Sequence, residues 1–213
     1  MLEEAAARPP EFFAGEIERQ ASSFDLDLPP SAVAGLAAYL AQLDLWRRRT
    51  NLTGPMTAGA LATHALESAL GASLISHGAR VIDIGSGSGM PGVPLAVTRP
   101  DVSMTLLEPR AKRAAFLQHV IRSAPVPNAT LRRARAAELE ADGFEAATVR
   151  AVGNLQDVVQ KGLFLKNRGA LLVWTTRPEE IAGPLEAWFE LERIKPVPGS
   201  REKVIVLLTK KEV

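Results

Sequence analysis

The chain has 213 residues, 46% apolar and 23% charged, with a net charge of +1. This is ordinary globular composition, and the length suits one α/β domain with a small extension. No cysteine is present, which excludes a thiol nucleophile, a thiolate metal site and an iron–sulfur cluster, and fits a reducing compartment. No run reaches the ~18 apolar residues of a membrane span, and Met1 to Arg8 lacks the basic-then-apolar pattern of a secretory leader. The expectation is a cytoplasmic protein with no membrane partner and no metal.

Residues 1–78 contain no convincing strand and read as a helical N-terminal extension, with a second unit over 79–213. Pro9–Gln20 has a weak helical pattern. Asp27-Leu-Pro-Pro-Ser31 is a loop with Ser31 as the expected N-cap. Val33, Leu36, Tyr39, Leu40, Leu43 and Trp46 then recur at helical spacing. Asn51-Leu-Thr-Gly-Pro55 breaks that helix, and a third is expected from about Thr57 to Ile75. From Arg80 the pattern changes. Val81–Ile84, Ser103–Leu107, Ala129–Arg133, Ala146–Val152, Gly169–Thr175 and Glu202–Lys210 read as strands. Between them, helices are expected up to about Ser123, over Leu155–Leu165 and over Glu179–Glu190. Strands alternating with helices imply βαβ units and a doubly wound, mainly parallel α/β sheet.

The first strand runs into Asp83-Ile-Gly85-Ser86-Gly87-Ser-Gly89-Met90. Glycine permits positive φ and lets a ligand approach bare backbone. The loop lies at the carboxyl end of a strand and at a helix N-terminus, where open α/β sheets bind ligands. A tight strand–helix turn with no ligand is the competing reading of the glycines alone. A Walker loop would end in Gly-Lys-Ser/Thr, whereas Gly89-Met90-Pro91 stands here. A dinucleotide loop, G-x-G-x-x-G, would need its third glycine where Met90 stands. G-x-G-x-G is the pattern of S-adenosylmethionine enzymes. Asp83 would repel a pyrophosphate and suit the cationic methionine end of that cofactor. Glu108 ends the second strand, 19 residues after Gly89, where an acid can accept both hydroxyl protons of a ribose.

On these residues the chain resembles the bacterial small-subunit ribosomal RNA guanine-N7 methyltransferases, the glucose-inhibited division protein B family. The resemblance runs from about Trp46 to Gly169 and is strongest over Val81–Gln118. It is carried by the loop extended through Met90-Pro91-Gly92-Val-Pro-Leu-Ala96, by Leu106-Leu107-Glu108 with Lys112-Arg113 and Phe116-Leu117, by Asn51-Leu52-Thr53, and by His64-Ala-Leu-Glu67-Ser68. Arg135-Ala136-Ala137-Glu138 is similar to the segment that lies beside the adenine in the family, with Ala137 a departure. Arg150-Ala151 matches the family's Arg-Ala after the fourth strand, which implies that Arg150 lies near both cofactor and reacting centre. Where the family has Lys-Gly after the fifth strand, this chain has Val173-Trp174-Thr175-Thr176.

The resemblance implies a seven-stranded, Rossmann-like class I methyltransferase sheet and S-adenosyl-L-methionine as cofactor. It further implies a guanine N7 in ribosomal RNA or the small subunit as acceptor. The oligomeric state is not given by the sequence, and a monomer is the expectation. Guanine N7 carries a lone pair in the major groove, so no proton has to be removed. The absence of cysteine removes covalent attack on a pyrimidine. Val152-Gly153-Asn154 stands where amine methylation commonly places an Asp/Asn-Pro-Pro-aromatic motif. Arg47-Arg48-Arg49, Arg110 with Lys112 and Arg113, and Arg132 with Arg133 and Arg135 are the candidate RNA contacts, against the alternative of solvated charged faces. A methyltransferase for a small molecule or another RNA position, and a cofactor-binding module without activity, are the competing functions.

Overall fold

A computed structural model describes residues 8–139, 143–151 and 164–212. It opens with three helices: α1 Pro10–Ala21, α2 Pro30–Arg47 and α3 Ala58–Ala69. Proline takes the first helical position in both α1 and α2, where its missing N–H is no loss and its fixed φ suits the helix. The N-cap of α2 is therefore Pro29, with no side-chain cap, and Ser31 lies inside the first turn instead of capping it. Thr57 caps α3 by accepting from the Ala60 N–H at 3.1 Å. The expected long third helix tightens into a 3₁₀ turn over Leu70–Leu74.

Seven strands follow in one sheet of order β3-β2-β1-β4-β5-β7-β6. They are β1 Arg80–Ile84, β2 Ser103–Leu107, β3 Ala129–Arg132, β4 Phe144–Arg150, β5 Leu165–Thr175, β6 Phe189–Pro196 and β7 Val204–Lys210. The first five run parallel, and β7 inserts antiparallel between β5 and β6. Helices α4 Gly92–Thr98 and α5 Ala111–Ser123 connect β1 to β2 and β2 to β3. The winding reverses at β1, which pairs with β2 on one side and β4 on the other. That switch point opens a crevice beyond the strand ends.

Side chains alternate across the sheet. Leu172 and Trp174 of β5 face a core shared with Phe13, Ile17, Tyr39 and Leu43 of α1 and α2. Leu171 and Val173 face the opposite core, with Ile82, Val149 and Val206. The N-terminal helices thus share the core of one face with α4 and α5, which bring Leu95, Phe116 and Leu117 to it.

The helix expected over Glu179–Glu190 is shorter. Helix α6 spans Glu179–Leu185, and the chain turns at Phe189 into strand β6. β6 is an edge strand on which Phe189 alone is buried, and Glu190, Glu192, Arg193 and Lys195 sit along it. Charge on an edge blunts unwanted pairing and erases the apolar alternation that marks an inner strand. β5 begins at Leu165, four residues before the expected start at Gly169. The helix expected over Leu155–Leu165, and Val152-Gly153-Asn154, lie outside the described residues except for Phe164 and Leu165. Among the described residues no helix is long and apolar enough to cross a membrane.

Candidate functional site

The glycine loop leaves β1 with Gly85, Gly87 and Gly89 all at positive φ: 72°, 54° and 95°. An L side chain would be strained at each. The loop is pinned at its base by the Gly85 and Ser86 N–H groups, which donate to Leu107 O of β2 at 2.9 and 3.0 Å. Asp83 lies beneath it, fully buried. Its Oδ1 accepts from the Thr148 hydroxyl of β4 at 2.8 Å, and its Oδ2 from the Gly92 N–H at the start of α4 at 3.2 Å. Burial raises the Asp83 carboxyl to about 6, which these donors only partly oppose. A Cβ at Gly92 would stand 2.6 Å from Asp83 Oδ2 and 2.5 Å from Leu106 Cδ2, so the approach of α4 to this carboxylate requires a glycine.

Glu108, also buried, reaches back from the end of β2. Its Oε2 accepts from the Gly87 N–H at 3.0 Å and its Oε1 from the Arg110 N–H at 2.8 Å. Two of a carboxylate's roughly four acceptor positions are so used. Tyr39 of α2 supports the loop from the other side, donating to Ser88 O at 2.8 Å. Burial pushes its phenol well above the ordinary value.

A cavity of about 430 Å3 opens beside the loop, within the roughly 300–1,000 Å3 of small-molecule sites. Gly85, Ser86, Gly87, Met90 and Arg150 line it, together with His64 from α3. Asp83, Gly89 and Glu108 stand behind this wall: Asp83 and Glu108 fix the loop's shape, and Gly89 makes its last turn. Ala136 and Ala137 form a 3₁₀ turn after β3, farther out along the sheet, with Ala137 exposed. The cradle of bare glycine backbone next to an acid at the second strand's end fits a nucleoside cofactor with a ribose diol.

Arg150, at the end of β4, is the centre of a polar network that joins distant segments. One guanidinium nitrogen donates to His64 O at 3.2 Å and Ser68 Oγ at 3.1 Å. The other donates to His64 Nδ1 at 2.8 Å and Glu67 Oε2 at 2.9 Å. Since His64 Nδ1 accepts from a guanidinium, the ring is neutral, and its pKa is lowered by burial and then by Arg150. Glu67, itself buried, also accepts from Lys203 Nζ at 2.6 Å, and its backbone carbonyl accepts from Trp174 Nε1 at 2.9 Å. The His64, Glu67 and Ser68 motif of α3 therefore meets Arg150 as one unit. Lys203 and Tyr39 belong to the site and were not singled out by sequence. Tyr39 looks like an apolar helix position, and Lys203 lies in a charged turn with no motif around it.

The three basic clusters divide. Arg47 and Arg48 grip the buried Asp44 at 2.7 and 3.0 Å and are structural. Arg49 is exposed and shares a groove of about 440 Å3 with Arg110, Lys112 and Arg113, adjoining the cofactor cavity through Leu52 and Arg113. Arg133 and Arg135, past the end of β3, are exposed. No metal-binding group of three or more His, Asp or Glu occurs among the described residues.

Residues 32–190 match the family model GidB, rRNA small subunit methyltransferase G. The chain belongs to this family. It is 33% identical to a ribosomal RNA small subunit methyltransferase G of Xanthomonas oryzae pv. oryzae over 96% of this chain and 99% of the relative. It is 36% identical to one of Roseiflexus castenholzii over 70% of this chain and 66% of that protein. Among solved structures, a mutant of MtNAS in complex with S-adenosylmethionine superposes with a TM-score of 0.61 at 13% identity, over 94% of this chain and 98% of that one. A predicted O-methyltransferase from Agrobacterium tumefaciens gives 0.59 at 20% identity, over 68% and 81%. These likenesses carry the fold, a Rossmann-like seven-stranded sheet. The family member is a methyltransferase enzyme, with S-adenosylmethionine as its cofactor.

Proposed function

We propose that this chain methylates N7 of a guanine in small-subunit (16S) ribosomal RNA, acting as a cytoplasmic monomer. One observation carries the choice of acceptor atom: the acid–base groups at the site are already engaged. His64 Nδ1 accepts from Arg150, Glu67 is held by Arg150 and Lys203, and both oxygens of Asp83 accept from protein donors. A hydroxyl or amine acceptor would call for a base to remove its proton. Guanine N7 presents a ready lone pair and calls for none.

S-adenosylmethionine, when bound, supplies an electrophilic methyl group on a sulfonium. The residues of the chain position and shield. Gly85, Ser86, Gly87 and Met90 form the wall against which the cofactor lies, with Gly89 closing the loop's turn. Asp83 holds that wall from beneath and places negative charge near the methionine end. Glu108 takes the ribose hydroxyls, and the backbone at Ala136 and Ala137 borders the adenine. Arg150 stands between this cavity and the acceptor side, holding charge close to the reacting centre in a water-poor site. Residues 1–78 are read as an extension of the catalytic domain at 79–213, a reading supported by their shared apolar core.

The decisive experiment gives the purified chain and labelled S-adenosylmethionine to small-subunit RNA, both naked and in assembled subunits, from cells lacking the gene. One methyl on one guanine, with N7 blocked, is expected. Cofactor binding without transfer to either substrate overturns the proposal.

A further inference from the structure

Beyond Arg150 lies a second cavity of about 280 Å3, between the ends of β4, β5 and β7. Arg150 and Ala151 line both it and the cofactor cavity, so the two are neighbours across one residue pair. Its floor is the buried Trp174, and Thr175, Thr176 and Lys203 stand around it. Antiparallel pairing sets Val204 of β7 opposite Thr175 of β5. Lys203, the residue before Val204, is thereby carried to the end of β5, where this chain has threonines in its sequence.

The charges of this wall do not balance. Among the described residues that line it, Glu67 is the single carboxylate, against the two cations Arg150 and Lys203. Arg150 alone neutralises Glu67 at 2.9 Å, and His64 is neutral by its bond to Arg150. One positive charge is left over. Arg150 is deep, with 16% of its side chain exposed and its donors directed to four acceptors. Lys203 is 40% exposed at the rim. Its ammonium has three donors, and Glu67 takes one.

We infer that Lys203 is the acceptor-side cation of this enzyme, holding a backbone phosphate of the RNA strand beside the guanine presented at the second cavity. A compact ammonium on a flexible stem suits a phosphate as a point charge. Glu67 holds the ammonium at the rim through one of its three donors, and with Arg150 on the same carboxylate the group keeps a net positive charge. The inference rests on the ribosomal RNA reading above.

The test compares the parent chain with Lys203→Gln, which keeps a donor toward Glu67 and removes the charge, and with Lys203→Arg, which keeps the charge. Methyl transfer to small-subunit RNA is measured across a series of salt concentrations, and S-adenosylmethionine affinity by calorimetry. For Lys203→Gln, KM for RNA should rise about five- to tenfold and the slope of log affinity against log salt should fall by about one, the signature of one lost phosphate contact. Cofactor affinity should be unchanged, and Lys203→Arg should restore the slope. An unchanged slope in Lys203→Gln beside an active parent overturns this assignment alone. Loss of cofactor binding in Lys203→Gln would make Lys203 structural and overturn it as well. A parent chain that binds cofactor and methylates no ribosomal RNA removes the functional reading, and this one with it.

Discussion

Around the glycine loop most polar groups come from one stretch of chain, residues 83–92, joined by Glu108 after the next strand, Thr148 from β4 and the Tyr39 hydroxyl from α2. Around Arg150 they come from α3, the end of β4, the end of β5 and the turn before β7. The two regions also handle a buried carboxylate differently. Asp83 has neutral donors on both oxygens. Glu67 has a guanidinium on one and an ammonium on the other. Hydrogen bonds alone leave Asp83 short of what water would supply, and its pKa rises. The ion pairs at Glu67 fix three separate segments in place, and their strength depends on all three partners being present.

This contrast makes the acceptor side the more fragile under substitution. Glu67→Ala leaves Arg150 and Lys203 facing each other with no acid between them. Removing one partner of a buried pair costs about 3–5 kcal/mol. The low end is expected here, because Lys203 can turn to solvent. Urea unfolding of the parent and variant measures it, and a loss below about 1 kcal/mol would mean that the network is not a unit.

The cofactor side should instead reveal itself through pH. Asp83 has a folded-state pKa of about 6, above the usual 3.8. The folded chain thus prefers the protonated acid. The stabilisation tied to that proton is complete below about pH 4 and is lost as pH rises through 6. Asp83→Asn carries no such dependence. Without cofactor, the variant should gain on the parent between pH 4 and pH 7 by up to about 3 kcal/mol, from roughly two pKa units at 1.36 kcal/mol each. Urea midpoints across that range read it directly. Parallel curves for the two proteins would mean that Asp83 is solvated, contrary to its burial.

The same difference in construction explains what could be read in advance. Gly85, Gly87, Gly89 and Met90 are neighbours in sequence because a single turn makes the loop, so their spacing, read with Asp83 before them and Glu108 on the next strand, sets it apart from phosphate-binding loops. Ser103–Leu107 was legible to the residue because an inner parallel strand packs on both faces, Met104 and Leu106 on one and Leu107 on the other. β6 was not, since an exposed edge strand carries helix-compatible charges. On the acceptor side, Arg150, His64 and Glu67 could be named only through the family resemblance, and their mutual contact depends on how α3 docks on the sheet. Lys203 depends on the β5–β7 register, which nothing local in the sequence states. Of Arg47, Arg48 and Arg49, a run of like charge, two proved to be tied to a buried Asp44, because charge runs show composition and not direction.

The smallest expected effect tests whether the two regions are linked through the N-terminal helices. Tyr39 is fully buried in α2, with its hydroxyl on Ser88 O and its ring close enough that a Cβ on Gly89 would lie 3.2 Å away. Tyr39→Phe keeps the packing and removes one hydrogen bond. Ser88 is only half-buried, so water can reach the freed carbonyl, and a stability loss of about 1 kcal/mol is expected. The more telling measurement is affinity for S-adenosylmethionine. If α2 only covers the sheet, the affinity stays the same. If it holds the loop in its bound shape, part of the lost bond appears as weaker binding, by about threefold for half of that loss or a little more. A threefold change in Kd with a shift of about 1 kcal/mol in stability would make the extension part of the cofactor site. An unchanged Kd would confine that site to the loop and the sheet beneath it.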